Sequence, residues 1–409
     1  MPPAVTRYWI EVRPTRALVV GKTRGVGNIT PTLDYIPGAT FRGALAALNE
    51  APDWDVFLKD ISFPDLTPGG AVSIPLSART CKYGKGFRSE MGLHGVYDLL
   101  LPGGTPKLTC DWQVPDPNGM RSCDGDLDRF YGWMIPGAER PRPKLEKLAS
   151  GHTAIDICTR TAAPGLFFLE ESISAPDGFA GELIAWGGDM AGLEALLGTA
   201  ATKGVRIGHG VRKGMGWGSL ESRADYRPGD PPVPLADRIR GLQDALNSRP
   251  GYEECAGLSV TLRSRAILMD NYLRFRSRVE TGDLLEATQL HGGEAAGLQN
   301  LLSDFVPEEW FTATSWAHGW NAASGLPRSP DLAIEAGACF LFLRKGRPLD
   351  DAEIEAFAGA LETLEIFGIG ERGVEGFGRV VFCDPFHWRS DYERVIRAPD
   401  GGSEHYVLH

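Results

Sequence analysis

The sequence lacks the features of exported and membrane-spanning proteins. Its first residues, Met1 to Arg13, alternate apolar and polar side chains and do not have the charged-then-apolar layout of a secretory signal. The longest strongly apolar runs, such as Ala338 to Leu343, are far shorter than the roughly 18 residues needed to span a bilayer. We therefore expect a cytoplasmic protein with no membrane partner.

Cysteine is scarce and irregularly spaced. The chain has seven cysteines in 409 residues, which is not a disulfide framework, and we expect reduced thiols. No two of them have the short spacing typical of structural zinc sites. One stretch rich in glycine and proline nevertheless carries four residues of the types that bind zinc: Cys81, His94, Cys110 and Cys123. This set predicts a structural zinc site, a degenerate cysteine knuckle or simply buried thiols, and the sequence does not decide among them.

Positive charge is not in excess either. The chain has 42 lysines and arginines against 53 aspartates and glutamates, a net charge of −11. Such a balance argues against a bulk electrostatic binder of nucleic acid but allows a local basic groove. With 43% hydrophobic residues, the chain can bury a large core. Because single cores stop growing beyond roughly 250 to 300 residues, we expect two domains.

What the sequence has in abundance is glycine, and one glycine-rich segment occurs twice. Residues 207–218 read IGHGVRKGMGWG and residues 367–378 read FGIGERGVEGFG. The segments align without a gap when Gly208 is placed opposite Gly368, which also places Arg212 opposite Arg372. Self-similarity at a fixed spacing indicates a duplicated structural unit.

The flanking periodicity identifies the elements around each loop. Residues 350–367 have helical periodicity and residues 379–382 are strand-like. The order helix, loop, strand excludes a dinucleotide-binding loop, which would follow a strand and open a helix. The first copy has the same order, with a helix predicted over 190–203 and an extended segment over 219–223.

Each half also has predicted elements before its second helix. We predict an opening strand in 7–20 and in 258–270, and a β-hairpin in 165–186 and in 331–344. A further helix is predicted over 235–247. The resulting order of strand, helix, two strands, helix, glycine loop and strand is that of the ferredoxin-like fold.

A Pro-Gly segment follows the first predicted strand. Residues 35–45 read YIPGATFRGAL, a turn leading into a helix that begins with small residues. This segment resembles the Pro-Gly-small-small-x-Lys/Arg-Gly segment of the RAMP superfamily of CRISPR proteins, in which a glycine-rich loop lies between the second helix and the last strand. The resemblance implies an α+β fold of tandem ferredoxin-like (RRM-like) domains: residues 1–230 with a Cys-containing insertion at about 78–145, residues 250–390, and a tail at 391–409.

The two loops, the length near 400 and the Cys-containing insertion resemble the large two-domain subunit of type III-D CRISPR complexes. That resemblance implies a non-catalytic subunit that binds the repeat-derived 5′ handle of the guide RNA (crRNA) and neighbouring effector subunits in antiviral defence. The second half departs from the family because it has no Ile-Pro-Gly segment. The alternatives are an endoribonuclease that processes the guide precursor, a target-RNA-cleaving backbone subunit, and a small-molecule-binding dimer of the same fold.

Glycines allow positive φ and let backbone N–H groups approach phosphates, while nearby basic residues supply charge. The simpler interpretation is that each loop only joins a helix to a strand. The residues expected to contact RNA belong to the two loops, the Pro-Gly segment and a basic stretch near residue 22: Lys22, Arg24, Pro37, Gly38, Arg42, Gly208, His209, Gly210, Arg212, Lys213, Gly214, Gly370, Arg372 and Gly376.

Three other features have two interpretations each. Residues 272–278 place three arginines at period two, which predicts a strand whose basic face either tracks phosphates or pairs with nearby acids. Trp310, Trp316 and Trp320 predict a core or a subunit interface more than a base-stacking surface. His209 and Asp34 are candidate catalytic residues, but we expect neither to act, because His209 has no acid or base at a fixed spacing and Asp34 precedes a turn.

Overall fold

The computed structural model describes the chain in segments. These are residues 5–22, 28–48, 54–88, 93–102, 109–110, 112–117, 119–136, 142–187, 190–226, 233–292, 295–321, 324–388, 394–396 and 406–407. Of the residues expected to contact RNA, Arg24 lies outside these segments, as does most of the predicted tail. Within them, no helix combines the length and apolar character needed to cross a membrane.

The helices of these segments fall into two groups, one in each half of the chain. They are α1 (Gly38–Ala46), α2 (Trp54–Lys59), α3 (Met190–Lys203), α4 (Leu235–Asn247), α5 (Thr281–Leu290), α6 (Ala295–Leu302) and α7 (Asp351–Phe367).

Strands outnumber helices, so the fold is mixed α and β with more strand than helix. In the first half the strands are β1 (Val5–Pro14), β2 (Ile29–Thr30), β3 (Ile61–Ser62), β4 (Thr67–Pro68), β5 (Val72–Ser73), β6 (Ala78–Cys81), β7 (Val96–Asp98), β8 (Gln113–Asp116), β9 (Gly119–Ser122), β10 (Leu127–Arg129), β11 (Trp133–Met134), β12 (Glu146–Ile155), β13 (Ala162–Ser174), β14 (Phe179–Trp186), β15 (Val205–Arg206) and β16 (Trp217–Ala224). In the second half they are β17 (Cys255–Leu262), β18 (Val306–Phe311), β19 (Thr314–Ala317), β20 (Trp320–Asn321), β21 (Leu326–Pro327), β22 (Asp331–Ile334), β23 (Cys339–Lys345), β24 (Val380–Phe382), β25 (Arg394–Ile396) and β26 (Tyr406–Val407).

The main sheet of the first half has β1 at its centre. β1 pairs antiparallel with β14 on one side and with β16 on the other, and β3 pairs with β14. Helices α1 and α2 follow β1 in the chain, and α3 connects β14 to β16. Apolar side chains of the strands and helices, among them Ile10, Phe41 and Leu196, share one buried core, because each element has an apolar face that must be removed from water.

The main sheet of the second half repeats this order. β17 pairs antiparallel with β23 and with β24, and β18 pairs with β23. Helices α5 and α6 lie between β17 and β18 in the chain, and α7 lies between β23 and β24. Helix α4 packs on this second core through Leu235, Ile239, Leu242 and Leu246. Between Leu220 and Leu235 the chain passes from the first core to the second, and Leu100 and Leu101 of the insertion also belong to the second core. The domain boundaries themselves stay a prediction.

The predicted helices agree with the structure, since α3, α4 and α7 cover the expected ranges. Helix α7 begins at a capping box in which Asp350 accepts from the Glu353 N–H and Glu353 reaches back to the Asp350 N–H. The predicted opening strands are shorter than expected. β1 ends at Pro14, because proline has no N–H for the ladder, and β17 ends at Leu262.

The two predicted hairpins are wrong. β13 pairs with β12 and β2, whereas β14 pairs with β1, so residues 165–186 cross from one sheet to another. Likewise β22 pairs with β19 while β23 pairs with β17 and β18. Alternating side chains identify a strand but not its partner, and a short connection does not make two strands neighbours in one sheet.

Candidate functional site

The two glycine loops have the same backbone conformation, but at a different register from the sequence alignment. The Ile207 N–H donates to the Gly216 carbonyl at 2.9 Å, and the Ile369 N–H donates to the Gly378 carbonyl at the same distance. Each loop then makes a 3-10 turn, at Val211–Lys213 and at Gly373–Glu375. Gly208 therefore corresponds to Gly370, two residues further along than Gly368.

The first loop, residues 207–218, lies on the surface. His209 donates its N–H to the Val19 carbonyl at 2.8 Å, which fixes the loop on the segment after β1. Gly208 has φ +86°, and a Cβ there would lie 2.2 Å from the Val19 carbonyl oxygen, so only glycine allows this approach. Arg212, Lys213 and Gly214 are exposed, and a Cβ on Gly214 would meet nothing within 4 Å.

Two further exposed basic residues are close in sequence to the first loop or to the segment that it contacts. The Arg206 guanidinium is exposed and stacks on the Trp217 ring, 4.4 Å from its centroid. Lys22 is also exposed, and its N–H donates to the Pro31 carbonyl at 3.0 Å. The first loop thus presents cationic side chains, with open space above its backbone at Gly214.

A buried carboxylate lies under the first loop. The His209 Nδ1 is 2.9 Å from the Glu170 Oε1, and the His152 Nε2 is 3.8 Å from the Glu170 Oε2. The Glu170 side chain is 8% exposed, whereas those of His209 and His152 are 64% and 42% exposed. Sequence reasoning missed this partner of His209, because β13 brings Glu170 to the loop from 39 residues away.

The second loop, residues 369–378, is an internal contact. The Val374 carbonyl accepts from the Phe63 N–H at 3.1 Å, and the Gly373 carbonyl accepts from the Ser62 Oγ at 2.8 Å. A Cβ on Gly376 would lie 2.4 Å from the Phe63 carbonyl oxygen. The close approach of two backbones explains this glycine.

Arg372 is occupied within the second loop. Its guanidinium pairs with Asp331 at 2.8 Å and with Glu375 at 2.6 Å, and its side chain is 12% exposed. It also lies over the Phe377 ring, 4.6 Å from the centroid. Gly370 next to it is exposed, but the charge of Arg372 is already neutralised by carboxylates.

The Pro-Gly segment meets the second loop. Gly38, the first residue of α1, is buried, and a Cβ there would lie 2.2 Å from the Phe63 carbonyl oxygen and 2.5 Å from the Glu375 carbonyl oxygen. Its N–H donates to the Asp65 Oδ1 at 2.9 Å. Arg42, one turn further, lies 4.0 Å from Glu375, and Pro37 before them is half-buried. These predicted site residues are therefore brought together with the second loop.

The arginine-rich segment 272–278 is not a regular strand. The Asp270 Oδ1 accepts from the Tyr272 and Arg274 N–H groups, which folds the chain into a turn with Leu273 at φ +61°. Each arginine pairs with an acid: Arg274 with Asp270, and Arg276 and Arg278 with Glu280. Of the two interpretations of this segment, pairing of the arginines with nearby acids is therefore the one that agrees with the structure.

Part of the tryptophan cluster joins the arginine segment. The Arg278 guanidinium lies 5.5 Å from the centroid of the Trp310 ring, and Phe275 contacts Trp316 edge to face at 6.4 Å. Trp310 and Trp316 are 43% and 53% exposed. They are therefore surface residues of this chain, not core, and whether they form a subunit interface stays a prediction.

The four candidate zinc ligands form one compact cluster. One ligand atom from each of Cys81, His94, Cys110 and Cys123 lies within 4.8 Å of the others. The Cys81 and Cys123 Sγ atoms are 3.8 Å apart, and the Cys110 Sγ lies 3.4 Å from the His94 Nδ1. Zn–S and Zn–N bonds of about 2.3 Å and about 2.0 Å at tetrahedral angles give separations of about 3.8 Å and about 3.5 Å. These two separations match the edges of a tetrahedral metal site, and the four ligand atoms are close enough together to hold one ion.

The insertion brings these ligands together from distant positions. Cys81 ends β6 and Cys123 follows β9. The Asp124 N–H donates to the Cys110 carbonyl at 2.8 Å, and the Lys82 N–H donates to the Asp126 carbonyl at 3.1 Å, so both cysteines are held close to Cys123. The His94 ring stacks on Trp112 at 5.7 Å, and a Cβ on Gly84 would lie 2.4 Å from the His94 ring. Packing of this kind orients a histidine ligand, and no short cysteine spacing in the sequence could signal it.

The chain resembles several solved structures at low sequence identity. The chain is similar to a chain of the type III-B Cmr-beta complex bound to cognate target RNA and AMPPnP, with 11% identity, 81% of this chain and 86% of that chain covered, and a TM-score of 0.38. It is also similar to a Cas6 chain in a product complex. The two are 11% identical, the match covers 92% of this chain and 98% of that chain, and the TM-score is 0.37. A third similar structure is a Cas6 of Thermus thermophilus. The identity is 14%, the match covers 51% of this chain and 76% of that chain, and the TM-score is 0.28. No protein-family model and no curated protein sequence matches the chain.

Proposed function

We propose that this chain is a cytoplasmic, guide-RNA-binding subunit of a type III CRISPR effector complex, which contacts the repeat-derived 5′ handle and neighbouring subunits. One observation carries the proposal: the first glycine loop presents Arg212 and Lys213 to solvent beside the uncovered backbone of Gly214, and Arg206 is exposed at the start of the loop. A local basic patch with exposed backbone is what phosphate binding needs in a protein whose net charge is −11.

The fold supports the proposal. We interpret the two main sheets, which have the same strand order with helices at equivalent places, as tandem ferredoxin-like units related by duplication. In this interpretation the two loops have diverged. The first is free to bind RNA, while the second holds the two halves together through β3 and the start of α1.

The different roles of the two loops divide the residues expected to contact RNA into two groups. Residues of the first loop, together with Lys22, are proposed to contact RNA directly. They are Lys22, Gly208, His209, Gly210, Arg212, Lys213 and Gly214. Pro37, Gly38, Arg42, Arg372 and Gly376 are proposed to position that surface by fixing the contact between the halves.

To test the proposal, the chain is purified from cells that also express its neighbouring genes and a repeat array. Any RNA that co-purifies is then sequenced. Small RNAs that share a repeat-derived 5′ end are the expected result. The same preparation made with R212A/K213A should carry much less RNA. A folded, assembled preparation without RNA would refute the guide-binding function and favour a small-molecule-binding or purely structural role.

We further propose that the Cys81, His94, Cys110 and Cys123 cluster holds a structural zinc ion. Three thiolates and one imidazole are a common structural zinc set, and the ligand separations fit. Metal analysis of the purified chain should give about one zinc per chain, and C110S should lose it. C255S, which removes a buried thiol elsewhere, is the matched control. A folded chain without bound metal would show that these thiols are simply buried.

A further inference from the structure

An arginine and a tryptophan form a stacked pair at the base of the first glycine loop. Arg206 in β15 is directly opposite Trp217 in β16, and the Arg206 guanidinium lies over the Trp217 ring, 4.4 Å from its centroid. Side chains that are directly opposite each other in an antiparallel pair are close enough to interact. The strand register itself therefore builds this cation–π contact.

Trp217 is held in place by the chain around it. Its carbonyl accepts from the Thr15 N–H at 2.7 Å and from the Arg16 N–H at 3.3 Å, which ties it to the segment after β1. Gly204 has φ +72°, and a Cβ there would lie 3.4 Å from the Trp217 ring, so the backbone packs against the indole. The indole is thus a fixed support for the Arg206 guanidinium.

Arg206 differs from other exposed arginines that lie over aromatic rings. Arg223, Arg274 and Arg278 each do so, but each also pairs with a carboxylate. Among the residues that the structure describes, no carboxylate lies within ion-pair distance of Arg206, and this residue is exposed. With an indole on one face, the guanidinium keeps its charge, its N–H groups and its opposite face available for a ligand.

A planar cation with one free face is suited to an unpaired nucleobase. Bases of single-stranded RNA are held by stacking on aromatic side chains or on arginine guanidinium planes, whereas bases in a duplex are already stacked on their neighbours. Cations for the adjoining phosphates are in the same loop, because Arg212 and Lys213 are exposed between Arg206 and Trp217. The second glycine loop has no counterpart of β15 and so lacks this stack.

We propose that the Arg206–Trp217 stack is a base-binding site, in which one unpaired base of the bound RNA stacks on the free face of the Arg206 guanidinium. The inference rests on the proposed RNA binding by the first loop. It goes further because it assigns single-stranded RNA as the ligand and makes Arg206 a base contact instead of a phosphate contact. Trp217 is a positioning residue, because it acts through the guanidinium.

An abasic scan of the RNA tests the site. Fluorescence anisotropy measures the Kd of the full chain for a synthetic single-stranded RNA with the repeat sequence, and for a series in which one nucleotide at a time lacks its base but keeps its phosphate. Removal of the stacked base should weaken binding to the wild type by about 10-fold, the size of a typical stacking contact. R206A should bind the intact RNA at least about 10-fold more weakly and should not respond to removal of that base.

The variant R206K separates stacking from charge. Lysine keeps the positive charge but has no planar group. R206K should therefore lose about 10-fold in affinity, while the slope of log affinity against log salt concentration stays that of the wild type. R223K is the matched control, because Arg223 also lies over a ring, that of Tyr226, but pairs with Glu221. It should bind RNA like the wild type, and thermal unfolding midpoints check that all variants fold.

The outcomes separate the two proposals. R206K with the affinity of the wild type would show that Arg206 contacts only phosphate, and R206A with the wild-type abasic profile would show that the base is bound elsewhere. Either result would overturn the base-binding site while the guide-binding function stands. A folded wild-type chain that binds none of these RNAs would instead overturn the proposed function on which the inference rests.

Discussion

The two arginines that the sequence places in equivalent positions have different surroundings. Arg212 is exposed at the tip of the first loop, whereas Arg372 is 12% exposed and pairs with two carboxylates. The backbone register pairs Arg372 with Gly210 and places Val374 at the position of Arg212. The identity of a residue therefore does not fix its role when the loop register differs by two.

At the residue scale, R212A/K213A should weaken RNA binding and flatten its salt dependence. Each lost phosphate contact to a single strand changes the slope of log affinity against log salt concentration by about 0.7, so the double variant should change it by about 1.4. Fluorescence anisotropy over a salt series measures the slope. K345A/R347A, which removes one lysine and one arginine from another exposed site, should leave it unchanged; equal slopes for all three proteins would exclude the first loop as an RNA contact.

R372A should instead destabilise the protein. The loss should be up to about 3 kcal/mol, because Glu375 keeps its contact to Arg328 but loses the largely buried contact to Arg372, and Asp331 loses its contact to Arg372 at 2.8 Å. Urea unfolding measures the change. R212A, at an exposed position, should change the free energy of unfolding by less than about 0.5 kcal/mol. Equal stability of R372A and the wild type would contradict the ion-pair network around Glu375.

Acid should weaken the same contact. Burial opposes ionisation of Glu375, but the hydrogen bonds from Arg328 and Arg372 outweigh it and lower the pKa of this carboxyl below its ordinary 4.5. A lowered folded-state pKa means that the stabilisation is present above pH 4.5 and is lost as the pH falls through the folded-state value. The free energy of unfolding should therefore decrease below pH 4.5, and E375Q should show a shallower decrease. Parallel pH curves for E375Q and the wild type would refute this.

At the scale of the element, the two loops differ by a small insertion. Each preceding helix ends at a glycine in the same way: after α3 the Gly204 N–H donates to the Ala200 carbonyl, and after α7 the Gly368 N–H donates to the Leu364 carbonyl. Val205 and Arg206 then form β15 before Ile207, whereas Ile369 follows Gly368 directly. These two extra residues shift the sequence alignment, and they place Arg206 on the face of the first loop.

Two glycines of the first loop should respond differently to alanine. Gly216 has φ +68°, and a Cβ there would lie 1.9 Å from the Ile207 carbonyl oxygen, so G216A should cost at least about 3 kcal/mol. Gly214 has φ +81° and nothing within 4 Å of its Cβ position, so G214A should cost only the conformational term of about 1 kcal/mol. Urea unfolding of the two variants tests this order, and an equal loss would show that the loop relaxes around Gly216.

At the scale of the whole molecule, buried polar contacts connect the insertion to the second half. The His387 Nδ1 lies 2.9 Å from the Asp98 Oδ2, and the His387 side chain is 0% exposed. The Ser77 Oγ donates to the other Asp98 oxygen at 2.5 Å, and the His387 Nε2 is 3.0 Å from the Thr261 Oγ1. Separating the halves would break these buried hydrogen bonds and the packing around them, so the network couples the two halves energetically.

The chain should therefore unfold in one thermal transition, despite its two cores. H387A should lower the midpoint, because the loss of a buried, hydrogen-bonded partner of Asp98 typically costs about 3 kcal/mol. Differential scanning calorimetry measures both quantities, with H318A as the exposed control. Two separate transitions in the wild type would show that the halves are energetically independent.

The sequence by itself determined the elements that depend on local periodicity and composition. Helices α3, α4 and α7 follow from apolar spacing and, for α7, from the Asp350 capping box, because these signals act within one or two turns. The glycines of both loops were also evident, since only glycine adopts their positive φ without strain. The zinc ligand types were likewise present in one stretch of the chain.

Only the tertiary structure decided which of these features act together. Strand partners, the burial of Arg372 and the approach of Glu170 to His209 depend on contacts between residues far apart in the chain. Local patterns carry no information about such pairs, because alternation fixes a strand face but not its neighbour and a charged residue gives no sign of its burial. The exposure of one glycine loop and the burial of the other therefore became visible only when the two halves were packed together.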